Sequence, residues 1–267
     1  MTEAALQDRA AEQRVMRRWR FLDVTYRNYR VWRKMMTSAL VNHLAEPLIT
    51  MLGLGYGLGR LLPTINGLSY LEFLSTGILC YGVMNSASFE ALWSAFTRLK
   101  HQRTWESILN APMTVTDIVL GEWLWAALKG ALSGVAILVV MTVFGLVKTF
   151  AALWIFPLVL LTGLAFAGIA LVVTSVAKTY DLFSFYFSLI VMPMMLVSGI
   201  YFPIEQLPAW LRFAANVLPL SHAVVLARGA VVGTPLGNVA LHVGVLISYG
   251  AISLLIADAF IRKRLAK

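Results

Sequence analysis

The residues of this chain that most resemble parts of a catalytic or nucleotide-binding site are four histidines, one cysteine and a run of alternating glycines. His43, His101, His222 and His242 form no H-x-x-x-H or H-E-x-x-H pattern, so no helical zinc site is expected. Cys80 stands alone midway along an apolar run. That excludes an intrachain disulfide and a cysteine metal cluster and makes it a small buried hydrophobe. Gly53, Gly55, Gly57 and Gly59 have the look of a phosphate loop, but they lie inside an apolar stretch with no strand before it. Two offset small-x-x-x-small pairs, for close helix packing, are the better reading. The sequence contains no G-x-x-x-x-G-K-S/T and not even a Gly-Lys dipeptide. The chain therefore has no P-loop, no catalytic residues and no cofactor of its own are expected, and ATP-driven work would need another polypeptide.

The remaining chemistry lies in charges set among apolar residues: Glu46, Glu90, Glu122, Lys129 and Asp258. In lipid such groups are costly and face protein or water. Glu90, Glu122 and Asp258 are expected within about two turns of the cytoplasmic interface, in reach of water or a basic neighbour. His43 and Glu46 share a helix face just before Pro47. With Lys129 they are candidates for a polar gate or pathway, as packing contacts or as a proton relay.

The elements holding these residues follow from composition. Of 267 residues 59% are hydrophobic and 13% charged, with a mean hydropathy of +0.76. A single soluble domain of this length has too small a core for that much apolar surface, whereas lipid accepts helices that are apolar all round. The expected fold class is an all-α polytopic membrane protein. Runs of about 20 residues span a bilayer. Six runs reach that length, at 38–62, 69–96, 117–146, 151–177, 181–202 and 238–261. The interval 203–237 is apolar but broken by Pro203, Pro208, Pro219, Gly229, Gly233 and Pro235. It reads as short re-entrant helices dipping into the outer leaflet. The dense aromatics of 180–187 and 201–213 read mainly as interfacial belts.

Basic residues fix orientation, because basic loops stay on the cytoplasmic side. Nine of the 22 Lys and Arg lie in the N-terminal arm 1–37, and four lie in the tail 262–267. Arg98, Lys100, Arg103 and Lys178 fall in loops on the same side, while Arg60, Lys148, Arg212 and Arg228 are assigned to the outer face. Both termini are thus expected inside. The net charge of +9 is a topology signal, and no nucleic-acid partner is expected. No cleavable signal peptide is expected either, the first apolar run carrying Glu46 and Pro47.

Val15, Trp19, Leu22, Tyr26 and Tyr29 recur as one helical stripe, with arginines on the other faces. This predicts an amphipathic helix in the inner interface, with Trp19, Tyr26 and Tyr29 at headgroup level and its arginines toward anionic lipid; packing on a partner is the alternative. The loop 97–112 reads as a short helix stopped near Pro112. Trp105, Ile108 and Leu109 form its apolar side, and Arg98, Lys100, Arg103 and Glu106 its charged surface. It would fit a groove on a cytoplasmic partner or serve as a plain hairpin connection. Thr114 and Asp117 resemble a capping box opening the third span.

Together these segments resemble ABC-2 type permeases, and more narrowly the NodJ-type permeases of nodulation-factor (lipo-chitooligosaccharide) exporters. The resemblance is carried by NHLAEPLITMLGLGYGLG at 42–59, QRTWESILNAP at 102–112, DIVLGEWLWAALKGAL at 117–132, LTGLAFAGIALVVTSVAKTYDLFSFYF at 161–187, MPMMLVSGIYFPIEQLP at 192–208 and LPLSH at 218–222. It implies a type V exporter-like fold of six spans, an interface helix, a coupling helix after the second span, and re-entrant helices before the sixth. Carried over by position, Arg98, Lys100, Arg103, Thr104, Trp105 and Glu106 would couple to an ATPase. Pro203, Leu207, Pro208, Pro219 and His222 would form the outer gate. The resemblance further implies a homodimer of this chain with two copies of a NodI-like ATPase holding ATP and Mg. Such an assembly would export an amphipathic saccharide or lipid-linked substrate across the bacterial inner membrane. A drug-efflux permease, a proton- or ion-coupled carrier and a structural assembly subunit are the competing functions.

Overall fold

The computed structural model describes residues 19–62 and 64–265, with the backbone alone for 37–40 and 42–44. Among these the chain is helical throughout, and the only strand-like pairing is an isolated bridge between Ile65 and Leu68 at the turn that carries Asn66 and Gly67. Helix α1 (Phe21–Trp32) leads through a 3-10 turn into α2 (Met36–Gly59). The third helix, α3 (Tyr70–Phe89), continues through two π-helical segments, Glu90–Ser94 and Thr97–His101. A short α4 (Thr104–Leu109) then precedes α5 (Val115–Val143). Next come a 3-10 turn (Phe150–Trp154) and α6 (Ile155–Val176), followed by α7 (Asp181–Tyr186), a π-helical segment (Phe187–Val191) and α8 (Met192–Val197). The chain closes with α9 (Ala209–Val217), α10 (Pro219–Val232) and α11 (Val239–Leu265).

The expected runs and the observed helices agree closely in extent, yet they differ in how far each suits a bilayer. By length and composition, three helical stretches among the described residues can cross a membrane: Val115–Val143, Phe150–Val176 and Val239–Leu265. The stretch Asp181–Val197 is apolar but shorter. Helices α2 and α3 are long enough, at 24 and 20 residues, but more polar, carrying Glu46 in one and Glu72 and Asn85 in the other. Helices α9 and α10 meet at 81°, as one broken span or a re-entrant loop. The bend has a local cause: Leu218 is extended (φ −72°, ψ 133°), the conformation imposed on a residue preceding proline, here Pro219.

Capping fixes where two of the long helices begin. Ser69 and Glu72 form a capping box at the start of α3, and Thr114 and Asp117 form the anticipated one at the start of α5. The core runs along α3, α5 and α6, where small residues bring backbones together. A Cβ on Gly163 would lie 2.7 Å from the Ala127 carbonyl oxygen, and one on Gly130 would lie 2.8 Å from that of Val83. The four glycines of α2 split. Gly55 and Gly59 face Leu71 and Tyr70 of α3, whereas a Cβ on Gly53 or Gly57 would meet no described atom. One small-residue face therefore packs within the chain. The tail also differs from expectation, because α11 runs unbroken to Leu265 and Arg264 donates to the carbonyls of Thr174 and Ser175 at the end of α6.

Candidate functional site

Helix α5 carries Glu122, Trp125 and Lys129 at spacings of three and four, one stripe of a helix whose remaining faces are apolar. Opposite them the π-helical continuation of α3 presents Glu90 and Arg98. The four charges meet in a compact cluster. Arg98 NH2 lies 2.9 Å from Glu90 Oε1, its Nε lies 2.9 Å from Glu122 Oε1, and Lys129 Nζ lies 2.7 Å from Glu90 Oε2. Two indoles complete it, Trp125 Nε1 donating to Glu90 at 2.9 Å and Trp105 Nε1 donating to Glu122 at 3.1 Å. All four charged side chains are at most 13% exposed. Two carboxylates and two cations cancel, and each carboxylate is held by more than one donor. Burial of the set is therefore tolerable, whereas loss of one member leaves an uncompensated charge.

The cluster ties α4 to the bundle. Before it the chain turns at Arg103, whose φ of 47° is left-handed. That reversal swings Trp105 inward until it is fully buried. Helix α1 is seated beside the cluster by Gly121, where an added Cβ would lie 2.5 Å from Val24 Cβ. Thr25 Oγ1 donates to the Gly121 carbonyl at 3.1 Å, and Arg20 donates to the carbonyl of Pro112. Burial, followed by the like charge of Arg98, pushes the Arg27 guanidinium of α1 below its ordinary pKa, and Glu122 opposes the shift. Trp19, Leu22 and Tyr26 are exposed, whereas the partly exposed ring of Tyr29 packs edge-on against Trp125 of α5 at 6.3 Å.

The coupling candidates thus divide. Lys100, Arg103 and Glu106 are exposed and Thr104 is half-buried, with Lys100 donating to the Lys178 carbonyl. Arg98 is not part of that charged surface, since two buried carboxylates draw it inside, and Trp105 faces the same cluster. The separate helix starts at Thr104 and not at 97, because the π-helical end of α3 occupies residues up to His101. The three polar gate candidates do not come together as one group. Lys129 belongs to the charge cluster, and Glu46 accepts from Tyr81 Oη at 2.8 Å and from Asn85 Nδ2 at 3.3 Å. The side chain of His43 lies outside the described residues. Asp258 has the basic neighbour anticipated for it, Arg262 Nε at 2.7 Å, and also accepts from Thr116 Oγ1 at 2.9 Å.

The outer candidates frame the 81° bend. Pro203 precedes the 3-10 turn Ile204–Gln206, Leu207 and Pro208 lead into α9, and Pro219 opens α10. His222 is buried, its Nδ1 2.7 Å from His242 Nδ1 and its Nε2 2.9 Å from the Asn216 carbonyl oxygen. Spacing alone gave no sign of that histidine pair, which joins residues 20 apart. Arg228, assigned to the outer face, is half-buried in α10. Its guanidinium stacks 3.7 Å from the Phe73 ring centroid and donates to the carbonyls of Phe73 and Gly199 and to Thr76 Oγ1. No cluster of three or more metal-ligating side chains occurs among the described residues.

The family model of the ABC-2 type transporter matches residues 21–232. Among curated proteins the chain is similar to nodulation protein J of Rhizobium meliloti, 40% identical over 92% of this chain and 94% of that one. It is likewise similar to nodulation protein J of Bradyrhizobium diazoefficiens, 42% identical over 90% of this chain and 92% of that one. A more distant similarity, 23% identical over 74% of this chain and 76% of the other, is to the inner membrane transport permease YadH of Escherichia coli.

Proposed function

The chain belongs to the ABC-2 type transporter family, and from that premise we propose that it is the membrane-spanning permease subunit of an exporter driven by a separate ATPase. It crosses the bacterial inner membrane six times with both termini in the cytoplasm. Two copies assemble with two copies of a NodI-like ATP-binding-cassette subunit, which supplies the ATP and Mg site. The cargo is an amphipathic saccharide or lipid-linked molecule. The names of the relatives support this reading, nodulation protein J for the narrower group and inner membrane transport permease for location.

The observation that carries it is the attachment of α4. Trp105 is buried on Glu122 while Lys100, Arg103 and Glu106 stay exposed beside it. A push on that exposed surface passes through one indole into a charge cluster shared by α3 and α5. This is a stiff link, since each buried group has fixed partners. Nucleotide-driven movement of the ATPases would displace α4, and α3 and α5 would follow. The chain contributes binding and movement, with no covalent step.

Co-expression with an ABC ATPase and reconstitution in nanodiscs tests this. Lys100→Ala combined with Glu106→Ala is expected to leave the permease folded and to abolish ATP-dependent export. Stimulation of the ATPase by amphipathic glycans, glycolipids and drugs then reads the cargo class. Export by this chain alone, driven by a proton gradient and lost in Glu46→Gln, would overturn the ATPase-driven reading in favour of a secondary carrier.

A further inference from the structure

Helix α1 roofs a cavity of about 290 Å³ that the charge cluster borders. Three indoles line it, Trp32, Trp93 and Trp125, together with Arg27 and Asn28 of α1. The one carboxylate in its lining is already used: Glu90 receives Arg98, Lys129 and Trp125. The donors are not. Asn28 is 3% exposed, and its Nδ2 has no hydrogen-bond partner among the described residues. The buried Nε1 of Trp32 has none there either. Arg27 donates to Asn28 Oδ1 at 2.9 Å, which orients the Asn28 amide and leaves further guanidinium N–H groups free to serve a guest. A buried donor without an acceptor is costly, and two of them beside one cavity call for an acceptor-rich guest.

Charge selects among such guests. Arg98 and Lys129 are compensated by Glu90 and Glu122, which leaves Arg27 as the uncompensated charge on the cavity. The guest is therefore anionic. The outer side of α1 indicates where it comes from. A second hollow shares Arg27 and Val31 with the first and is lined by Tyr26, Arg30 and Lys34, three basic side chains in all against the one carboxylate of Asp23. It adjoins the exposed stripe of Trp19, Leu22 and Tyr26, the pattern of a helix lying at headgroup level. The cavity has the size of a small ligand site, room for a headgroup and not for acyl chains.

We infer that this cavity seats the phosphate-bearing headgroup of an anionic phospholipid of the inner leaflet, its oxygens accepting from Asn28 Nδ2, Trp32 Nε1 and Arg27. The orientation rests on the topology proposed above; the donors and the cavity do not. A lipid held there touches α1 and the charge cluster at once, so its occupancy bears on the elements that α4 moves.

The test uses the full purified chain, delipidated in detergent and titrated with phosphatidylglycerol, phosphatidylcholine or inorganic phosphate. Bound mass is read by native mass spectrometry and tryptophan fluorescence in parallel. Phosphatidylglycerol is expected to bind at least about tenfold more tightly than phosphatidylcholine. Arg27→Gln and Trp32→Phe should each weaken it severalfold, and Asn28→Leu should abolish it. Equal affinity for the two lipids, or unchanged phosphatidylglycerol binding in Arg27→Gln, would overturn the inference. Displacement of the lipid by inorganic phosphate at equal concentration would identify a free-phosphate site and overturn the lipid assignment. Should Asn28→Leu fail to fold, Arg27→Gln and Trp32→Phe decide. The readout needs no ATPase, so failure here is separable from failure of the exporter reading.

Discussion

At one end of α3, Arg98 and Lys129 are met by the carboxylates of Glu90 and Glu122. At the other end, the hydrogen bonds of Arg228 go to two carbonyls and a hydroxyl, and its flat face lies on Phe73. Both sites enclose their cations largely in protein, but they do different work. The first cluster joins three regular elements through side chains that compensate one another. The second clamps the turn at Gly199, with its φ of +75°, onto α3 by donating to the carbonyls of Gly199 and Phe73 together. Side-chain pairs can rearrange as a set while their helices move, whereas an arginine bonded to backbone holds a turn in one shape.

That contrast is open to measurement. Arg98→Ala leaves Glu90 and Glu122 without their shared cation and is expected to cost about 3–5 kcal/mol, read as a loss of thermal stability in detergent. If replacing Arg98 and Glu122 together by Met and Leu restores most of the loss, the cluster is a compensated set. If it does not, the distinction between the two ends fails. Arg228→Lys keeps the charge but loses the fork and the stacking, and should cost about 1.5–3 kcal/mol. Pairing it with a new carboxylate should give little rescue. Gly77→Ala would place a Cβ 2.8 Å from Ile200 Cα, an overpacking of about 1–3 kcal/mol confined to the Arg228 end. Lys148→Ala removes an ion pair with Glu72 in which the lysine side chain is 46% exposed. The expected loss is within about 0.2–1 kcal/mol and shrinks in high salt, a baseline for both buried sites.

The sequence was most informative where one helix answers to one rule. Hydropathy and length anticipated most helix limits to within a few residues, because an apolar run ends where charge or proline begins. The Thr114–Asp117 box was legible because its partners are three residues apart. The charge cluster was half legible. Glu122 and Lys129 share a stripe on an apolar helix, which requires a protein partner, but Glu90 and Arg98 are eight residues apart and meet α5 only through π-helical turns. No periodicity rule for an α-helix anticipates that. The setting of Arg228 was not legible, because most of its hydrogen bonds go to backbone carbonyls, which leave no trace in side-chain patterns. The histidine pair depends on the bend at Leu218, a tertiary fact.

A π turn is, in arithmetic, a helix with one residue too many. Two such segments follow Phe89, and each rotates everything after it by about 100° relative to an unbroken α-helix. Arg98, inside the second segment, reaches Glu122 after the rotation of the first. Deleting a single residue between Glu90 and Ser94 would let that turn relax to the regular pitch while Arg98 kept its direction, because the residue removed is the one the wide turn accommodates. Composition, hydropathy and span length would hardly change. Within this stretch the loss of one residue is absorbed, whereas in a regular turn of α5 it would swing everything downstream by about 100°.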